Sequence, residues 1–194
     1  MGWIPLEKKQ ALIDAAIKLF AKNGFDATST ASIVIYAGTT EPLIHYHFKN
    51  KDGLFAHILE IIFTEYFSRF DALPIDTDTE FEKLENLIRL LFQFADDCPD
   101  ETLIIVNECP AKLQHAAPAC AKYIGYQRER LNDYIASCLE AGIKSGEFKT
   151  VPVAATTVVL IAMINGLLRR RSRQLDHIDG LLEATVAFCR RSLI

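Results

Sequence analysis

Residues 39–51, TTEPLIHYHFKNK, gather two threonine hydroxyls, two histidines, a tyrosine and two lysines. Side chains of these types ligate metals, move protons, or bind phosphates and base edges. His45 and His47 form an H-x-H pair, but on a helix positions i and i+2 point to different sides. No cysteine lies near them in sequence, so no metal site is expected. The chain carries no nucleophile elbow, phosphate loop or metal-ligand spacing, so no catalytic residue is assigned and no cofactor is expected. Binding chemistry remains. Thr39 and Thr40 offer short hydroxyls, Pro42 and Leu43 suit thymine methyls, and His45 and Tyr46 carry polar aromatic tips that reach phosphate.

Such a surface needs short helices held at a fixed angle, and the flanking sequence supplies them. A first helix spans about Leu6 to Asn23, with Leu12, Ala15, Ala16, Leu19 and Phe20 on one stripe. Gly24 ends it in a left-handed cap of the Schellman type, with Phe25 packing back on Phe20. A second helix runs from Ser29 or Thr30 to Tyr36, with Ile33, Val34 and Ala37 inward, and Gly38 permits a tight turn. The third spans about Thr40 to His47, with Thr40 as N-cap, Pro42 in the first turn, and Ile44 and Phe48 inward. Two short helices joined by a glycine turn and braced by a first helix form a helix-turn-helix over about residues 29–48. In such a unit the second short helix enters the major groove. A fourth helix starts near Asn50. Lys51 then sits in its first turn, where a docked phosphate would meet both the ammonium and the free backbone amides.

The rest of the chain also reads helical. Strand alternation is absent, DALPIDTDTE (71–80) is a loop, and five further helices are expected at about 80–97, 100–108, 116–144, 151–171 and 175–192. The expectation is an all-α protein of about nine helices. Residues 1–50 are expected to form a helix-turn-helix DNA-binding domain, and residues 51–194 a second, helical domain.

Bulk properties agree. Half of the 194 residues are hydrophobic, enough for a sizeable core. The net charge is −4 but unevenly spread. Residues 1–56 hold six lysines against five acids (+1), whereas residues 71–100 hold nine acids against Lys83 and Arg89 (−7). Only the head sits easily near phosphates. Cysteines 98, 109, 120, 138 and 189 are odd in number and include no C-x-x-C pair, and no secretion signal opens the chain. Small buried residues with free thiols in the cytoplasm are expected. The uncharged run VPVAATTVVLIAMINGLL (151–168), followed by RRRSR, is long enough to brush the limit for a membrane span. Its Pro152, Thr156, Thr157, Asn165 and Gly166 favour a buried helix of a soluble protein.

Residues 10–56, ALIDAAIKLFAKNGFDATSTASIVIYAGTTEPLIHYHFKNKDGLF and its flanks, resemble the N-terminal domain of the TetR family of transcriptional regulators. Ala15-Ala16, Leu19-Phe20, Gly24-Phe25, Thr28, Ile33, Ala37-Gly38, HYHF, Lys51 and Leu54 carry the resemblance in order. EAGIKSGEFKTVPVAATTVVLIAMINGLL resembles that family's later long helix, turn and following helix. The resemblance implies a homodimer, a DNA operator and a small-molecule effector that lowers DNA affinity. The function expected is therefore that of a ligand-responsive repressor; the alternative is a helical enzyme or adaptor with an incidental helix-turn-helix. Three departures stand out: His45 replaces the first aromatic of the usual tyrosine pair, Val34 replaces a common alanine, and Glu41 stands where basic or small residues are frequent.

Three residue sets follow. Thr28, Ser29, Thr39, Thr40, Pro42, Leu43, His45, Tyr46 and Lys51 are expected at the DNA. Phe63, Tyr66, Phe67, Phe92, Asn107, Glu108, Tyr123, Gln127 and Met163 are expected around a mostly apolar effector, with many of the aromatics serving the core as well. Ala155, Val159, Ala162 and Gly166, together with Leu182 and Val186 of the last helix, are expected at a dimer interface, where small residues allow close helix approach and a lone monomer leaves an apolar helix uncovered.

Overall fold

The computed structural model describes residues 6–107, 118–175 and 178–194. The described residues form nine helices: α1 Leu6–Asn23, α2 Thr30–Tyr36, α3 Glu41–Phe48, α4 Lys51–Asp71, α5 Glu80–Asp97, α6 Pro99–Val106, α7 Pro118–Ser145, α8 Val153–Ser172 and α9 Leu181–Leu193. Among them there is no strand. Expectations for Glu108 and the cysteines at 109 and 120 fall outside the described side chains.

The head is built as the stripe on α1 dictates. Leu12, Ala15, Ala16 and Phe20 are buried, and Ile13 and Ile17 widen the stripe. Gly24 adopts φ +83°, and its amide donates to Phe20 O at 2.9 Å. That single four-residue bond is the αL cap; the paired Schellman bonds expected here form instead after α2. There Gly38, at φ +61°, donates to Ile35 O (3.3 Å) while Thr39 N donates to Val34 O (2.9 Å). The Phe25 ring still returns to Phe20, 5.5 Å between centroids, and Phe55 of α4 closes the trio. Ser29 and Ser32 form a reciprocal capping box at the start of α2. Ile33, Ile44 and Phe48 hold α2 and α3 to the core.

The long α4 joins head to body. Its first half packs on α1 and α3, its second half on α5 and α7, and α1 also packs on α6. Asn50 caps it by accepting from Gly53 N at 2.8 Å. Gly53 has no room for a side chain, because a Cβ there would lie 2.0 Å from Phe48 O. The carbonyl end of α3 thus closes directly onto the start of α4, and this junction sets the angle of α3.

In the body, the acidic segment is neutralised by packing arginines. Asp97 pairs with Arg69 at 2.6 Å, Asp71 with Arg130, and Asp96 with Arg171. Glu85 pairs with Arg89 and Arg190. The Glu147 carboxylate, from the turn after α7, accepts the Glu80 and Phe81 amides (2.8 and 3.0 Å), occupying the positive end of α5. Gly142 is close-packed, since a Cβ there would fall 2.2 Å from the buried Phe148 ring. The last helix begins at Leu181, six residues after its expected start. Gln174, at φ +51°, ends α8 with paired bonds from Gln174 N to Arg171 O and from Leu175 N to Arg170 O. Gly180 at φ +72° then redirects the chain into α9.

Candidate nucleic-acid interface and effector cavity

The outer face of α3 presents Thr40, Pro42, His45 and Tyr46 to solvent, with Tyr46 70% exposed, while Ile44 and Phe48 anchor the opposite face. Leu43 is half-buried against the core. Thr39 is half-buried, and its hydroxyl is sealed from solvent without a hydrogen-bond partner. Glu41 accepts from the Thr30 hydroxyl at 2.7 Å, tying the first turn of α3 to that of α2. The carboxylate therefore stabilises a local contact at a helix N-terminus.

His45 bends back along its own helix. Its Nδ1 lies 2.8 Å from the Lys49 carbonyl, which only accepts, so Nδ1 carries the proton. In the neutral ring Nε2 is then a bare acceptor, suited to a base amino group; it becomes a donor to phosphate only when the ring is protonated. The contact braces Lys49, whose φ of +69° is rare for a side-chain-bearing residue.

Two expected DNA contacts are redirected. Thr28 is 1% exposed, and its hydroxyl donates to Gly24 O (2.8 Å) and Leu19 O (3.2 Å), so it staples the α1–α2 turn and does not face outward. Lys51 also turns inward. Its Nζ donates to Phe25 O and Thr28 O at 2.9 and 2.8 Å and stands 4.1 Å from the centre of the Phe25 ring. The carbonyls of the α1–α2 turn lie within the reach of its stem, and they satisfy the ammonium that was expected to await a phosphate. Ser29 is exposed, but its hydroxyl accepts from Ser32 N at 3.0 Å as a cap. Sequence reasoning missed Ile35 and Tyr36, 79% and 58% exposed on α2. The signal was present: IVIY is an unbroken apolar run, and a short helix can turn only half of it inward.

His47 is half-buried, and its Nε2 has no partner among the described residues. Burial first, and the nearby Lys9 charge second, hold its pKa below the usual 6.5.

The effector residues divide. Phe63, Tyr66, Phe67 and Tyr123 form one aromatic cluster: Phe63 stacks on Phe67 (5.8 Å) and on Tyr123 (6.2 Å) and meets Tyr66 edge-on. Phe92 lies apart, buried beneath Arg171. Burial pushes the Tyr66 phenol up to about 12; Gln127 and Arg130 pull the other way, though Gln127 is not in hydrogen-bond geometry with it. Asn107 and Gln127 line a cavity of about 380 Å³ between α6, α7 and α8, together with Ile124, Ala162, Asn165 and Arg169. Met163 is half-buried against the core. A second cavity of about 440 Å³ lies between α4, α5 and α7, beside Lys83, Arg130 and Tyr134.

On α8, Ala155, Val159, Ala162 and Gly166 share an exposed face, and Val158 beside them is 64% exposed. The helix is long and apolar enough to cross a membrane, but only 22% of its most apolar window is buried in this chain, so it is not the enclosed helix its composition suggested. Val186 is 7% exposed and Leu182 packs on the chain's own core. The buried stripe of α9 is Thr185, Val186, Cys189 and Leu193, and its exposed apolar residues are Ala184 and Phe188. Cys138 and Cys189 are buried free thiols, pushed up to about 11 by desolvation. Cys98 is half-buried and also raised. Among the described residues no cluster could hold a metal ion.

Comparison with known proteins bears on both halves. Residues 12–58 match the family described as bacterial regulatory proteins, tetR family, and residues 77–169 match a tetracyclin repressor-like C-terminal domain. The chain is 26% identical over 186 residues to the HTH-type transcriptional regulator YhgD of Bacillus subtilis, covering 93% of this chain and 95% of that protein. Its fold is similar to the ketosteroid transcriptional regulator KstR2 of Mycobacterium tuberculosis (TM-score 0.77, 19% identity, 99% of this chain and 97% of that one). It is also similar to FadR of Bacillus subtilis, solved in complex with stearoyl-CoA (TM-score 0.71, 18% identity, 96% and 100%).

Proposed function

The chain belongs to the tetR family of bacterial regulatory proteins, and from that premise we propose that it is a homodimeric repressor released from its operator by a small molecule. It is a DNA-binding transcriptional regulator. The observation that carries the reading is the outer face of α3, where Thr40, Pro42, His45 and Tyr46 stand exposed on a helix anchored by Ile44 and Phe48. In this reading α3 enters the major groove, Tyr46 and His45 contact bases or phosphate, and the half-buried Leu43 meets a thymine methyl. The head comprises about residues 1–50 and the effector-binding and dimerisation part residues 51–194.

The exposed apolar face of α8, with Phe188 of α9, is proposed to meet the same face of a second copy. Two heads then reach successive major grooves, about 34–36 Å apart. Cover by a second copy, in a cytoplasmic protein, accounts for the apolar helix without a bilayer. The effector is proposed to bind among the helices after residue 60, and by linkage DNA must weaken its binding by the same factor.

The test is selection of DNA fragments by the purified protein, followed by shift assays on the selected sites. Tyr46→Ala and Thr40→Ala should alter base preference at particular positions, each at a cost of about 1–3 kcal/mol. Retention of fragments without a common sequence would favour the enzyme or adaptor reading.

A further inference from the structure

Four arginines are half-buried among the described residues: Arg69, Arg130, Arg169 and Arg171. Three are paired with carboxylates, Arg69 with Glu65 and Asp97, Arg130 with Asp71, and Arg171 with Asp96. Arg169 is the exception. One arm, Nη2, donates to Val106 O at 2.6 Å, at the carbonyl end of α6. Its Nε is sealed from solvent and has no acceptor among the described residues. A buried donor without an acceptor is destabilising, and more so when the group is charged.

The surroundings of Arg169 do not compensate it. The cavity between α6, α7 and α8 is also lined by the exposed Arg128 and by the amides of Asn107, Gln127 and Asn165, and among the described residues by no carboxylate. Its remaining walls are apolar, among them Ile105, Ile124, Leu131 and Ile161. The cavity between α4, α5 and α7 is the contrast, because there Lys83 is already paired with Glu80 and Arg130 with Asp71. Two cations, three amides and an apolar wall in one space of about 380 Å³ form a recognition pattern for an acidic head on an apolar body.

We propose that this cavity binds an amphipathic anion, with a carboxylate or phosphate head on Arg169 and Arg128 and an apolar body against Ile124, Leu131 and Ile161. The proposal rests on the reading of the chain as an effector-responsive regulator and narrows the effector to an acidic one. The bond to Val106 O fixes the guanidinium plane, and the same residue lines the cavity, where the head of the ligand would meet it. The cavity also borders Ala162 and Gly166, on the face proposed to meet a second copy, so an occupant would bear on the docking of the two chains.

Isothermal titration of the full chain, without DNA, tests it with four probes of one chain length: decanoate, decyl phosphate, decanol and decylamine. At least one anion should bind roughly tenfold or more tightly than decanol, and decylamine should not bind. The stronger of the two anions identifies the head group. Arg169→Met should remove the preference for the anion while leaving decanol affinity within about twofold, since the apolar walls are unchanged. If loss of the α6 contact prevents that variant from folding, Arg128→Ala and Asn165→Leu leave that contact alone, and each should lower the preference severalfold. Equal affinity for decanol and the anions would overturn the proposal, as would a preference that survives these substitutions. Operator binding, assayed separately, distinguishes the two readings. Anion binding by a protein that selects no DNA would sink the regulator reading and leave the site standing. Operator binding with no anion preference would do the reverse.

Discussion

Replacing Lys51 by methionine keeps most of the stem and removes the ammonium. In the structure that ammonium holds Phe25 O and Thr28 O and caps the Phe25 ring, binding the start of α4 to the α1–α2 turn. Hydrogen bonds from a charged donor contribute about 1.5–3 kcal/mol each and a cation–π contact about 0.5–2. Lys51 is half-exposed and opposes the α4 dipole by a few tenths of a kcal/mol, so the sum is discounted to about 2–3 kcal/mol. For a chain of this size each kcal/mol shifts Tm by about 2–4 °C, so Lys51→Met should lower Tm by roughly 4–12 °C in calorimetry. The same variant bears on phosphate binding. If Lys51 keeps its carbonyls in the complex, the log–log salt slope of operator binding is unchanged. If it swings to phosphate, a dimer loses about 1.8 from that slope. A Tm within a degree of wild type would refute the inward bracing; if the slope also fell, the ammonium would be a phosphate contact and nothing more.

Gly142→Ala gains about 1 kcal/mol of helix propensity but drives a Cβ into the Phe148 ring, where overpacking costs about 1–3 kcal/mol or more. A lower urea midpoint with unchanged m-value is expected, and a raised midpoint would show that Phe148 moves freely. His47, held below its usual 6.5, binds no proton in the folded head where the unfolded chain binds one, so stability is full above 6.5 and falls as pH drops through 6.5 toward the folded value. His47→Gln should flatten that limb of a Tm-against-pH profile. A Cβ at Gly166 would meet nothing within 4 Å among the described residues, so Gly166→Leu should leave helical content by circular dichroism unaltered, while sedimentation shifts toward monomer and operator binding weakens sharply.

The helices and the exposed face of α3 were legible in the sequence because both rest on periodicity and on caps. Ile44 and Phe48 at i, i+4 left the other side of α3 free, and that side is the exposed one. The directions of long or small polar side chains were not legible. Nothing in the one-dimensional spacing of Lys51 and Phe25, 26 positions apart, tells that an ammonium will find the α1–α2 carbonyls. Thr28 likewise turns inward because carbonyls of α1 and its cap lie beneath it. On α9, Leu182 and Val186 were apolar enough for either an interface or a core, and the delayed start at Leu181, set by Gln174 and Gly180, fixed which. Arg169 belongs to a basic run in the sequence; that no carboxylate among the described residues pairs with it is a fact of three helices meeting, invisible along one.

The central claim is that α3 reads DNA in a paired molecule. Sedimentation of the wild-type chain with a selected duplex tests it most directly. Two protomers per pseudo-palindromic site are expected, with half-sites about one helical turn or a multiple apart, and loss of the sequence preference on Tyr46→Ala. A monomer bound tightly to a single asymmetric site, or a selection indifferent to Tyr46, would contradict it.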